Sequence, residues 1–129
     1  MAAIKRQFLG LAGELRVMSE LLLRGFNPAK SYLENGADII LSDGTRIEIK
    51  CSHKVSRENG YSYNIRCGHA GQKRTVVGCD FIICWCMDDN DFFIIPFADV
   101  KDLTSISLPT IKRKSKYSCY RDNWEALRR

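Results

Sequence analysis

Asp38-Ile39-Ile40-Leu41-Ser42-Asp43-Gly44-Thr45-Arg46-Ile47-Glu48-Ile49-Lys50 is two alternating runs around a turn, and its register decides what kind of protein this is. Two loop lengths compete. A two-residue Asp43-Gly44 turn pairs Ser42 with Thr45 and leaves charged and aliphatic residues mixed on each face. A three-residue loop, Ser42-Asp43-Gly44, with Gly44 in the left-handed conformation of a G1 bulge, pairs Leu41 with Thr45 instead. Ile39, Leu41, Ile47 and Ile49 then share one face, and Asp38, Ile40, Arg46, Glu48 and Lys50 the other. A one-residue slip flips every side chain, so the hydrophobic pattern selects the second register.

In that register Asp38 lies directly across from Glu48, with Cβ atoms about 5 Å apart, and Lys50 follows two residues on along the same face. Two carboxylates that close repel unless a cation lies between them. Two carboxylates with room for waters and phosphate oxygens are what Mg²⁺ takes in phosphoryl-transfer sites. An ammonium beside the ion can orient or help deprotonate the attacking water, or neutralise charge in the transition state. The competing reading is a cross-strand salt-bridge cluster of Asp38 and Glu48 with Arg46 and Lys50 on an exposed sheet face.

Outward from the hairpin, Ile4, Phe8, Leu11, Leu15, Met18 and Leu22 recur at spacings of three and four, which predicts an amphipathic helix over 4–24 with this stripe toward the core. Gly25 supplies the stop and Pro28 bars continuation. Residues 61–66 alternate in the strand period, 79–86 read as a central strand, and 92–95 as another closed by Pro96. Short helices are expected at 98–103 and 120–127, where Trp124 and Leu127 anchor the last one. Helix, several strands, then short helices make an α/β or α+β domain with one sheet. At 129 residues the chain suits a single domain over 1–129, with a core at about 4–103 and a basic C-terminal extension at 104–129.

The net charge of +5 is uneven: residues 1–109 are neutral, and the excess lies in 110–129. Within the neutral part, 50–74 hold six basic residues against Glu58 alone. Two basic stretches on a small domain suit a polyanion, although charge alone is equally compatible with a solvated surface. The longest nearly uncharged apolar run, 81–87, is far short of a membrane span, and Glu14 and Arg16 interrupt any early signal-like segment. The expectation is a cytoplasmic protein that does not enter a membrane. Its six cysteines form no C-x-x-C pair and read as reduced packing groups. A zinc site at Cys84-Trp85-Cys86 with His69 lacks ribbon or finger spacing.

Asp38, nine residues, then Glu48-Ile49-Lys50 resembles the D-x(n)-(D/E)-x-K core of the PD-(D/E)XK nuclease superfamily, with Ala37 where a proline usually precedes the aspartate. Upstream, Gly13-Glu14-Leu15, then Ser19-Glu20-Leu21-Leu22, then Arg24-Gly25-Phe26 is similar to the helix signature of its small members. These include proteins like Holliday-junction resolvases and the group I intron type of homing endonuclease. Cys79-Asp80-Phe81 and Phe92-Phe93-Ile94-Ile95-Pro96 are similar to the closing strands of the intron group. The resemblance covers about residues 10–100.

The resemblance implies a restriction-endonuclease-like αβββαβ core, a mixed central sheet flanked by helices. It further implies Mg²⁺-dependent hydrolysis of DNA phosphodiesters, with Mn²⁺ substituting, by a homodimer or higher homo-oligomer. Asp38 and Glu48 would be metal ligands, joined by the Ile49 carbonyl. Lys50 would be the catalytic lysine, and Glu14 the helix carboxylate that binds metal through water or holds the site. Candidate DNA contacts are Ser52, Lys54, Arg57, Arg66, Lys73, Arg74, Lys112, Arg113 and Lys114. Tyr61 and Tyr63 suit either base stacking or packing, and His53 and His69 read as surface or loop residues. A branched-DNA resolvase and a catalytically silent nucleic-acid-binding module of the same fold are the alternatives.

Overall fold

A computed structural model describes residues 5–31, 37–55, 60–69, 72–75 and 79–128, with strands 66–69 and 72–75 described by their backbone. One long helix, α1 (Arg6–Leu23), opens the chain. It ends as the sequence predicts: Gly25 adopts φ +88°, and the Phe26 and Gly25 amides donate back to the Leu21 and Leu22 carbonyls at 2.9 and 3.0 Å.

Among the described residues nine strands follow: β1 (Pro28–Lys30), β2 (Ile39–Leu41), β3 (Arg46–Ser52), β4 (Tyr61–Asn64), β5 (Arg66–His69), β6 (Gln72–Thr75), β7 (Phe81–Cys86), β8 (Asp91–Pro96) and β9 (Ser105–Leu108). Five of them form the central sheet in the order β1-β2-β3-β7-β8, and where one sheet was expected the other four form two small sheets, β4-β9 and β5-β6. It is mixed, because β3 and β7 run parallel while the other pairs are antiparallel. This is the α+β class with a mixed sheet that was expected. The crossover between the parallel strands, which an αβββαβ pattern fills with a helix, carries β4, β5 and β6 among the described residues and no helix.

Two apolar clusters sandwich the sheet. On one side Val17 and Leu21 of α1 meet Ile47, Ile49, Ile83 and Ile94, closed by Trp124 and Leu127. On the other, Ile82, Cys84, Phe93 and Ile95 meet Tyr61 and Tyr63 of β4 and Ile106 and Leu108 of β9. Strands β7 and β8 therefore bury both faces, as their near-continuous apolar sequence requires.

Three expectations need correction. The buried stripe of α1 is Gly13, Val17 and Leu21, whereas Phe8, Leu11, Leu15 and Leu22 face outward. Smaller residues let the helix lie closer to the sheet, and size-weighted periodicity cannot register that. The expected helices at 98–103 and 120–127 are single 3-10 turns at Phe97–Asp99, Ser118–Tyr120 and Trp124–Leu127. Arg121 interrupts the last pair by bridging to Phe93, with Asp122 at φ +54°. Finally, the segment beyond residue 103 is no appendage: β9 pairs with β4, and Trp124 and Leu127 are core residues as predicted. Among the described residues, no helix is long and apolar enough to cross a membrane.

Candidate metal and phosphate site

The β2–β3 hairpin takes the three-residue loop. Ile39 pairs with Ile47 and Ile40 with Arg46, Gly44 has φ +90°, and its amide donates to the Leu41 carbonyl at 2.9 Å. Ile39, Leu41, Ile47 and Ile49 are buried against α1. Glu48 and Lys50 point to the opposite face, beside Ile82 and Cys84 of β7. There the apolar layer that covers β7 and β8 gives way to charge.

The carboxylates converge. Asp38, one residue before β2, accepts a hydrogen bond from the Ile49 amide at 2.8 Å and lies within hydrogen-bonding reach of both Glu48 and Glu14. Burial raises Glu48 to about 7, the Asp38 and Glu14 carboxylates add to this, and the Lys50 ammonium opposes it. Glu14 is likewise raised by burial and by Asp38, with Lys30 opposing. Among the described residues no ion pair joins Asp38 or Glu48 to Arg46 or Lys50, as a surface salt-bridge cluster would require. Arg16 pairs with Glu20 at 3.1 Å, leaving Glu14 turned toward the acidic pair.

Glycine at position 13 brings Glu14 this close. A Cβ there would sit 2.7 Å from Cys51 Sγ on β3, so glycine lets α1 pack this closely against the strand. Two adjoining clefts open here. One, of about 420 Å³, is lined by Glu14, Asp38, Glu48 and Lys30; the other, of about 630 Å³, by Lys50, Ser52, His53 and Asn64. Arg6 and Gly10 line both.

The donor set fits a hard divalent cation. Mg²⁺ uses one or two carboxylates and takes its remaining oxygens from water and phosphate, and buried carboxylates that repel one another are relieved by such an ion. The acids neighbour one another in pairs around Asp38; among the described residues no three His, Cys, Asp or Glu groups surround a single point.

The candidate DNA contacts are scattered. Ser52 ends β3 and donates its hydroxyl to the His53 carbonyl at 2.9 Å. Lys54 is tied to the β7–β8 turn, its amide to Asp88 at 2.6 Å and its ammonium to Asp89 at 3.7 Å. Arg66, Lys73 and Arg74 lie on the two-stranded β5–β6 ribbon, where Cys67 pairs with Arg74 and Gly68 with Lys73. Lys112, Arg113 and Lys114 are exposed after β9, and Arg57 lies outside the described residues. Tyr61 and Tyr63 are packing residues: both are buried, and their hydroxyls donate to Asp89 and the Trp85 carbonyl. His53 is exposed beside Asp88 at 3.2 Å. Cys84 and Cys86 are core residues, with burial holding the Cys86 thiol up at about 12.

Sequence reasoning missed Arg6 and Lys30. Arg6, Gly10 and Glu14 share one helix stripe at spacings of four, a signal available in advance. Lys30 reaches Glu14 from an edge strand of three residues that no pattern announces.

No family model matches the chain, and no curated protein matches it. Among solved structures it is similar to a bacterial homing endonuclease, I-Ssp6803I, with 18% sequence identity, a TM-score of 0.80, and coverage of 96% of this chain and 93% of that one. At that identity the likeness is one of architecture: the chain has a homing-endonuclease-like α+β fold with a mixed central sheet.

Proposed function

We propose that this protein is a cytoplasmic, Mg²⁺-dependent DNA endonuclease of the PD-(D/E)XK type. The observation that carries the reading is the meeting of Asp38 with Glu48 across the hairpin, with Lys50 on the same face and Glu14 reaching in from α1. The fold neighbour, whose name is that of a homing endonuclease, supports it, as do the basic β5–β6 ribbon and the exposed Lys112–Arg113–Lys114 run.

Asp38 and Glu48, with the Ile49 carbonyl, would hold Mg²⁺ or Mn²⁺, which supplies charge neutralisation at the scissile phosphate and a water of lowered pKa. The Ile49 amide fixes the Asp38 carboxylate, so this ligand is oriented before any ion or substrate arrives. Lys50 orients the nucleophilic water for in-line attack on phosphorus. The bond to the 3′ oxygen breaks, leaving a 3′-hydroxyl and a 5′-phosphate. Glu14 would reach the ion through a bound water, and Lys30 limits the repulsion it adds to the acidic pair. Arg6, between the two clefts, is placed to meet the phosphate backbone.

The test is cleavage of linear duplex DNA by purified protein with and without Mg²⁺, beside Lys50→Ala and Glu48→Ala. Both variants are expected to lose cleavage and to retain much of the DNA binding; unchanged cleavage in either rejects the assignment. A four-way junction run in parallel distinguishes a resolvase. DNA binding without turnover on any substrate points to the silent module.

A further inference from the structure

Helix α1 is apolar on two sides. Its inner stripe of Gly13, Val17 and Leu21 is buried on the sheet. On the far side Phe8, Leu11, Leu15 and Leu22 are 61, 43, 57 and 58% exposed, and Met18, partly buried, completes the row. Isolated exposed leucines are ordinary, but five apolar residues in one stripe are not. A second apolar stripe on a helix normally faces another element rather than water.

The spacing indicates what covers it. Positions 8, 11, 15, 18 and 22 alternate three and four residues, the 3.5-residue repeat that keeps a seam facing another helix. We infer that this face pairs with the same face of a second copy, the two α1 helices running antiparallel about a two-fold axis near position 13. In that register Phe8 lies opposite Met18 of the second copy and Leu11 opposite its Leu15. Each contact occurs twice, as an isologous interface demands.

Electrostatics favours antiparallel over parallel. The helix has no acidic residue in its first turn and no side-chain cap at Lys5, so its positive end is uncompensated within the chain. A parallel pair would set two such ends together, whereas at the other end Arg128 donates to the Arg24 carbonyl at 3.1 Å. Antiparallel pairing sets each positive end beside the negative end of the other helix and brings Lys5 toward the last carbonyls of the second copy. The stripe and its flanking stems offer on the order of 500 Å² a copy. A pair then buries about 1,000 Å², where specific interfaces begin. Leu11 belongs both to the seam and to the wall of the acidic cleft, so pairing sets the two clefts side by side.

Sedimentation velocity on the full chain over about 1–100 µM, with neither DNA nor metal, tests the pairing independently of any nuclease activity. An even-numbered assembly is expected, and Leu11→Glu/Leu15→Glu is expected to be a monomer with unchanged circular dichroism. In a Cys119→Ser background, Leu11→Cys mixed with Leu15→Cys under mild oxidant is expected to give the crossed disulfide dimer, well above either variant alone. This readout survives should the double glutamate variant fail to fold. A wild-type monomer throughout the range overturns the proposal and assigns the face to a different protein. An assembly unaffected by the glutamates, or cross-linking mainly between two copies of Leu15→Cys, overturns the interface or its direction.

Discussion

The Ile49 amide of β3 donates to the Asp38 carboxylate at 2.8 Å, so one acidic group of the site is held by the backbone that carries the other. Structural and chemical roles of Asp38 are therefore separable. Asp38→Asn keeps an oxygen acceptor for the amide and removes repulsion from Glu14 and Glu48, so thermal stability is expected to hold or rise. Mg²⁺ uptake by calorimetry and cleavage are both expected to fall by at least about 10²-fold, as loss of a ligand charge does. Asp38→Ala leaves the amide without its partner and is expected to cost about 1–3 kcal/mol in addition. Equal melting of the two variants would show the hydrogen bond to be unimportant.

Glu48 gives a pH signature. Its folded value of about 7 lies above the ordinary 4.5, so between those pH values the folded state binds more protons than the unfolded. Stability of the metal-free protein is thus expected to decline as pH rises from about 4.5 to 7 and then to level off. Glu48→Gln removes the ionisation, flattens that slope, and is expected to be more stable than wild type at pH 8 by about 2 kcal/mol while losing cleavage. Urea melts at pH 5 and pH 8 without metal read both effects. Mg²⁺ binding needs the carboxylate ionised, so apparent affinity is expected to rise with pH through the same window.

What the sequence made legible follows the range of the forces involved. The hairpin register was readable because loop length and period-2 patterning act within thirteen residues, and Asp38, Glu48 and Lys50 come into place with it. Strands β7 and β8 were readable as apolar runs. The α1 helix was evident, but its buried face was inverted: Phe8, Leu11, Leu15 and Leu22 outweigh Gly13, Val17 and Leu21 in hydrophobicity, while the packing selects for closeness. Strands β1 and β9 stayed hidden because three or four residues of modest β character are made strands by partners, Leu41 to Ile39 for the first and Tyr61 to Asn64 for the second. Lys30 entered the site through such pairing.

Gly13 links helix packing to the site. With a Cβ placed 2.7 Å from Cys51 Sγ and 2.9 Å from its Cβ, Gly13→Ala must push α1 from β3. Helix propensity favours alanine by about 1 kcal/mol, and overpacking costs about 1–3 kcal/mol, so a net loss of stability is expected. The larger effect falls on the chemistry, because Glu14 follows directly on the displaced backbone. Cleavage is expected to drop more than DNA binding. Adding Cys51→Ala removes the nearer contact and is expected to restore part of both. A double variant no better than the single would place the effect elsewhere.

A partly buried ion pair helps to hold the C-terminal segment. Arg121 Nε meets Asp91 Oδ2 at 2.8 Å, its Nη2 donates to the Thr110 carbonyl at 3.1 Å, and the guanidinium lies over Phe93. Burial holds Asp91 above the ordinary carboxylate range even with the arginine beside it. Arg121→Met strands that carboxylate and is expected to cost about 3–5 kcal/mol. Arg121→Met with Asp91→Leu removes both charges and is expected to recover most of the loss, since an apolar replacement of a buried pair is often near neutral. Trp124 and Leu127 sit in the cluster that supports α1, so loosening this segment also loosens the helix carrying Glu14. Limited trypsin digestion gives a local readout. Cleavage among Lys112, Arg113, Lys114 and Lys116 is expected to accelerate in the single variant and return toward wild type in the double. An unchanged digestion rate in Arg121→Met would mean that the apolar contacts of Trp124 and Leu127 hold the segment without the ion pair.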